Sequence, residues 1–355
     1  MLFWPYRNIT ICSCIDWRFI IKLDKISKVE RRKFIRNLTI GTSVAALPIG
    51  VSAKNTLINP AKKVRFGIIT DVHNDVMHDG EYRLRSFLNA AKNKDLDFII
   101  QLGDFCQPKE ANKEFFDLFN NYPGIKYHVI GNHDFDAVNV PDKLSVVKNF
   151  YGLTSTYYSF DAANFHFIVL DGNEKDPDFK QGYPRYIGEK QQEWLKDDLQ
   201  KTSLPVVVFV HQPLGDDEAG IINRSQIRDI FEAANKRAGF KKVIACINGH
   251  THIDNNQEIN GIHYIQINSS SYKWLGDKYI TTGRYSKKFD NFYPDIRYTA
   301  PYKDSIYAFA EITDKVITIN GKLSEFVGPH PKDMGYNLYD ATFTKSDITD
   351  KKLRY

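Results

Sequence analysis

Five short apolar runs, each ending at residues that can bind a metal ion, constrain this chain more than any other feature. Val64–Thr70 runs into Asp71-Val72-His73, and Asp97–Leu102 into Gly103-Asp104. Tyr127–Ile130 leads to Gly131-Asn132-His133-Asp134, Val206–Val210 to His211, and Val243–Ile247 to Gly249-His250-Thr251-His252. Runs of this length, rich in β-branched and aromatic residues, predict buried strands. Helices are predicted between them: Glu81–Lys94 with Leu84, Phe87, Leu88 and Ala91 at helical spacing, then Glu110–Asn121, 141–150, Gly188–Lys201 and Asn223–Arg237. Alternating strands and helices make an α/β layer structure, and in such sheets ligands gather at the carboxyl ends of the strands. Side chains spread over about 180 positions therefore converge on one rim.

Later strands pair more locally. Thr156–Phe160 and Phe165–Leu170 flank a turn, and Ile262–Ile267, Ile306–Ile312 and Val316–Ile319 follow. Residues 271–305 show no periodicity, and residues 321–355 are polar and read as a surface extension of a domain spanning 54–320. No run approaches the roughly 18 apolar residues of a membrane span. Cys106 and Cys246, isolated in the body, read as buried thiols rather than a disulfide framework.

The donor types carry their own argument. Asp71-x-His73 and His250-x-His252, if extended, present both side chains to one face. Gly103, Gly131 and Gly249 stand next to donors, where a sharp turn favours a residue without Cβ. Asp104 has two oxygens and can bridge two cations. Carboxylates and imidazoles suit manganese, iron or zinc.

Together, Asp-x-His, Gly-Asp, Gly-Asn-His-Asp, His and Gly-His-x-His resemble the calcineurin-like metallophosphoesterase superfamily over about residues 62–270. The resemblance implies a four-layer α/β/β/α sandwich with mixed sheets and two divalent or mixed-valence ions of Mn, Fe or Zn. By that likeness Asp71, His73, Asp104 and His252 hold one ion, and Asp104, Asn132, His211 and His250 the other. His133 becomes the outer-sphere acid or phosphate contact, with Asp134 orienting it. The implied reaction is hydrolysis of a phosphate ester, a hydroxide between the metals attacking phosphorus in line. The implied substrate is a phosphorylated small molecule, nucleotides among the options. Three positions after Asp104 stands Gln107, where the purple acid phosphatase branch carries a Tyr ligand, so a coloured tyrosinate site is not expected. The spacing is closer to the manganese-dependent ADP-ribose/CDP-alcohol diphosphatase-like branch, which sets a diphosphatase or phosphodiesterase beside a phosphomonoesterase. A non-catalytic metal-binding scaffold of the same fold is the competing reading.

Two aromatic–basic patches, Tyr183/Arg185/Tyr186 and Tyr272/Lys273/Trp274, read either as surface packing or as a substrate rim. His78, with Asn74 and Asp75, is placed near the Asp71 loop.

Residues 1–53 read as a leader. Glu30-Arg31-Arg32-Lys33-Phe34-Ile35-Arg36 precedes a small apolar run and Val51-Ser52-Ala53, a small-x-small cleavage pattern. The paired arginines resemble a twin-arginine signal, which implies the twin-arginine export machinery as a partner and a periplasmic or exported mature chain cut near Ala53. Residues 1–28 fit that signal poorly, as they would if translation begins near Val29. The leader carries nine Lys and Arg against three acids, more than the whole chain's +5, so residues 54–355 are close to neutral. A near-neutral body offers no electrostatic case for stable nucleic-acid binding.

Overall fold

A computed structural model describes residues 63–136, 138–280, 284–336 and 344–355. The leader, its arginine pair and the Ala53 cleavage site lie outside the described residues.

The apolar runs form two six-stranded sheets. In the first, β1 (Lys63–Ile69), β2 (Phe98–Gln101) and β3 (Lys126–His128) lie parallel, with Phe66 opposite Phe98 and Ile99 opposite Lys126. On the other side of β1, β12 (Ala308–Thr313), β13 (Val316–Asn320) and β14 (Lys351–Arg354) add antiparallel, giving the order β14-β13-β12-β1-β2-β3. In the second, β5 (Phe165–Val169), β6 (Val206–Phe209), β7 (Val243–Asn248) and β9 (Ile262–Gln266) are parallel. The edge strands β4 (Tyr158–Ala162) and β8 (Asn255–Ile259) pair antiparallel, for an order β4-β5-β6-β7-β9-β8.

Both faces of these strands are apolar, so each strand serves two cores. Val64, Phe66 and Ile68 of β1 join Phe98 of β2, Phe165 and Phe167 of β5, and Val207 and Phe209 of β6 between the sheets. There the Phe66 and Phe98 rings stack at 4.8 Å, and the Phe98 edge meets Phe167 at 5.0 Å. Each such ring contributes roughly 1.5–3 kcal/mol by its burial. The alternate residues face helices. Ile69 and Ile99 pack under α1 (Gly80–Lys92), α2 (Lys113–Asn120) and α3 (Lys143–Tyr151) through Leu84, Phe87, Phe116, Phe119 and Val147. Ile168, Val206 and Val208 pack under α4 (Glu189–Lys201) and α5 (Arg224–Ala238) through Leu195, Leu199, Ile227 and Phe231. The result is the four-layer α/β/β/α sandwich with mixed sheets.

Three features depart from expectation. The helix over 110–121 opens with a separate 3-10 turn, Glu110–Asn112. Residues 271–280 and 284–305 are structured: β10 (Tyr272–Trp274) and β11 (Thr299–Pro301) form a ribbon flanking the short α6 (Lys287–Phe292). The stretch after residue 320 contributes β14 and a buried Ile348. Cys106 and Cys246 are buried free thiols. Among the described residues, no helix is long and apolar enough to cross a membrane.

Candidate metal centre

The strand ends do bring the donors together, by a backbone route that extended spacing does not predict. β1 ends at Ile69, and Asp71 and His73 take left-handed conformations, φ 51° and 49°. Asp104, His250 and His252 do the same, at φ 48°, 74° and 51°. Non-glycine residues enter this region rarely, and it costs on the order of 1–3 kcal/mol each. The loops are held in it by amides that prolong the ladder: Asp71 N donates to Gly103 O (3.1 Å) and His73 N to Asp104 O (3.0 Å). Of the three glycines, only Gly103 needs a positive φ, 99°. Gly131 and Gly249 are required by close approach instead. A Cβ at Gly131 would stand 2.2 Å from Asp104 Oδ1, and one at Gly249 2.3 Å from Asp71 Oδ2.

The donors form two groups. Asp71, His73 and His252 are one; Asp104, His211 and His250 are the other. In the first, His252 Nε2 lies 3.2 Å from both Asp71 Oδ1 and His73 Nε2. In the second, His211 Nε2 lies 3.1 Å from Asp104 Oδ2 and 3.2 Å from His250 Nδ1. Asp104 sits at the seam, its Oδ2 3.7 Å from His73 Nε2 of the first group.

This arrangement fits cations. His211 Nδ1 donates to Leu102 O (2.8 Å) and His252 Nδ1 to Tyr272 O (2.8 Å). A carbonyl can only accept, so in the neutral ring each inner Nε2 presents a lone pair to the cluster, the tautomer a metal ligand needs. Lone pairs facing carboxylate oxygens and other imidazole nitrogens repel unless a proton or a cation lies between them. The charge balance shows the same demand. Burial opposes a charged His211, yet the Asp104 carboxylate prevails and pushes it up to about 9. Burial disfavours the Asp71 carboxylate too, but His252 and its neighbours hold it at about 2. Among the described residues, the buried Asn132 Oδ1 has no hydrogen-bond partner, an orphaned acceptor of the kind a cation satisfies.

His133 lies beside the cluster, its ring 5.2 Å from that of His73. The sequence points to Asp134 as the residue that orients it, and the structure corrects this. Asp134 is fully buried and turned the other way. It accepts from Gly131 N (2.7 Å), Phe105 N (2.9 Å) and the Tyr151 hydroxyl (2.9 Å), bracing the loops under the site. Burial, with Asp104 nearby, pushes its carboxyl up to about 7. The residue that holds His133 is Asp136, whose Oδ2 is 2.6 Å from Nδ1. Tyr183 completes the contact, donating to Asp136 Oδ1 at 2.9 Å with its oxygen 3.2 Å from His133 Nδ1. The local backbone explains the pairing: His133–Phe135 is a 3-10 turn, and in that helix positions i and i+3 eclipse. Burial works against the His133 charge, but Asp104 and Asp136 raise it to about 9.

Above the donors lies a cavity of about 480 Å³ walled by Tyr183, Tyr272, Trp274 and Tyr336. The two aromatic–basic patches thus divide. Tyr183 and Trp274, each nearly half exposed, line the cavity. Arg185 is instead bound to Glu218 O (2.7 Å), while Lys273 also lines the cavity but is buried, donating to the carbonyls of Thr251 (3.0 Å) and His252 (3.2 Å). Asp75 reaches the wall but is held by Lys109 and Asn112. His78 packs among Tyr285, Phe289 and Tyr293 and does not line the cavity.

With this fold and donor set, the chain belongs to the calcineurin-like phosphoesterase family, which it matches over residues 64–254. It is 26% identical over 254 residues to a manganese-dependent ADP-ribose/CDP-alcohol diphosphatase from Arabidopsis thaliana, covering 53% of this chain and 79% of the relative. A 3',5'-cyclic adenosine monophosphate phosphodiesterase from Haemophilus influenzae is 24% identical over 225 residues, covering 59% and 77%. Among solved structures, a dimetal phosphatase from Danio rerio shares the fold at TM-score 0.51 and 16% identity, covering 74% of this chain and 98% of that one.

Proposed function

We propose that this protein hydrolyses phosphodiester or diphosphate bonds of a nucleotide-type substrate, using two divalent cations held by Asp71, His73, Asp104, Asn132, His211, His250 and His252. The observation that carries the reading is Asp104, buried between two donor groups that meet at the floor of one cavity. The manganese-dependent diphosphatase and the cyclic-nucleotide phosphodiesterase, two differently named relatives, support both the metal class and the substrate class.

When bound, the cations supply Lewis acidity and neutralise charge on the phosphoryl group. The chain's own residues do the rest. The left-handed loops fix the donors before any ligand arrives, so no reorganisation is needed at the moment of reaction. Asp136 and Tyr183 fix His133 through Nδ1, leaving Nε2 to hydrogen-bond a phosphoryl oxygen or protonate the leaving alkoxide. Tyr183 and Trp274 offer aromatic faces on which a base can stack.

The full chain, stripped with chelator and reloaded with Mn, Fe or Zn, is to be assayed on bis-p-nitrophenyl phosphate, p-nitrophenyl phosphate and ADP-ribose. The reading expects metal-dependent turnover of the diester or the diphosphate above the monoester. A metal-loaded protein inert on all three would favour the scaffold reading. We also propose that residues 1–53 direct export through the twin-arginine machinery; an Arg31→Lys/Arg32→Lys variant retained inside the cell supports this, and unchanged export rejects it.

A further inference from the structure

We propose that the Tyr272 hydroxyl is a further catalytic group at this centre, donating a hydrogen bond to a phosphoryl oxygen of the substrate. The proposal rests on the phosphoesterase reading above.

Tyr272 opens β10 and is almost wholly buried. Its ring lies against the imidazoles of two donors, 5.0 Å from His73 and 4.9 Å from His252. Behind it pack Met77 and Ile296. Its backbone is fully employed beyond the β10–β11 ladder: the amide donates to Ser269 Oγ (3.2 Å) and the carbonyl fixes the His252 tautomer (2.8 Å). The hydroxyl is different. Among the described residues nothing hydrogen-bonds it, and the residue lines the cavity above the donors. The other large tyrosines near this core are paired: Tyr302 donates to Asn268 Oδ1 (3.0 Å) and Tyr151 to Asp134 Oδ1 (2.9 Å). The Tyr272 hydroxyl is not among the fully buried polar atoms left without a partner, as the Tyr264 hydroxyl is, so it keeps access to the cavity that the residue lines.

The cavity supplies the missing acceptor. The His73 ring has both His133, at 5.2 Å, and Tyr272, at 5.0 Å, as neighbours. A phosphoryl group over the donors would therefore have an imidazole and a phenol within reach. The phenol's rotamer is locked by the rings it packs on, so the donor is in place before the substrate binds. A phenol is neutral at ordinary pH and adds a donor without adding charge, which suits a group whose oxygens gain charge as the reaction proceeds.

The test compares the full-chain wild type with Tyr272→Phe and Tyr285→Phe, all loaded with Mn. Tyr285 belongs to the same aromatic cluster but does not line the cavity. Three readouts are taken: Mn per chain, affinity for inorganic phosphate by calorimetry, and kcat and KM on bis-p-nitrophenyl phosphate. Tyr272→Phe is expected to keep its Mn and its Tm, to bind phosphate about 10-fold more weakly, and to lose about 10- to 100-fold in kcat. Tyr285→Phe is expected to match wild type throughout. Unchanged phosphate affinity and kcat in Tyr272→Phe would overturn the proposal while leaving the phosphoesterase reading intact, and so would a variant that loses its Mn. A wild type that binds Mn but neither binds phosphate nor turns over would overturn both.

Discussion

The strand-end rim and the 271–305 ribbon meet at the same cavity but are built on different principles. The rim carries its donors on loops pinned between buried parallel strands, with five of them in left-handed backbone that the ladder amides impose. The ribbon is two three-residue strands around a short helix, and it offers the cavity Tyr272 and Trp274. The contrast separates metal binding from contact with the substrate. The rim has one geometry it can adopt without breaking two sheets, whereas the ribbon can change its side chains without disturbing either sheet.

Substitutions should follow that division. The largest effect is expected at the seam: Asp104→Ala should lose Mn and fall by about 10³-fold or more in kcat, measured by elemental analysis beside a diesterase assay. His133→Ala should retain Mn and lose about 10²- to 10⁴-fold in kcat; loss of metal instead would make His133 a ligand. Asp136→Asn should cost about 10- to 100-fold in kcat with unchanged Tm, because it loosens His133 alone. Asp134→Asn should instead lower Tm, since Asp134 braces Gly131, Phe105 and Tyr151. The smallest effect belongs to the wall: Trp274→Ala should raise KM for a nucleotide substrate about 10-fold and leave kcat and Tm unchanged, which steady-state kinetics and a melting curve can read.

What was legible in the sequence follows the same line. The rim could be read because each donor motif follows an apolar run, three of the five with a glycine between, a pattern that survives any uncertainty about strand ends. β3 is three residues long, not the four of Tyr127–Ile130, yet Asn132 still lines the cavity together with the donors. The left-handed backbone at His73 and His252 was not legible, since histidine, though enriched there among non-glycine residues, adopts it rarely and the strain is imposed by neighbouring strands. Asp136 was hidden for a simpler reason: Asp134 is adjacent in sequence, and only the 3-10 turn carries i+3 under the imidazole. β8 (Asn255–Ile259) and β14 (Lys351–Arg354) are polar edge strands, and their pairing comes from β9 and β13 rather than from their own pattern.

The central claim is that one carboxylate joins two metal ions. Electron paramagnetic resonance of the full chain titrated with Mn(II) tests it most directly. The account predicts two ions per chain with a magnetically coupled spectrum, and loss of that coupling in Asp104→Asn. Two uncoupled ions, or a single ion at saturation, would contradict it.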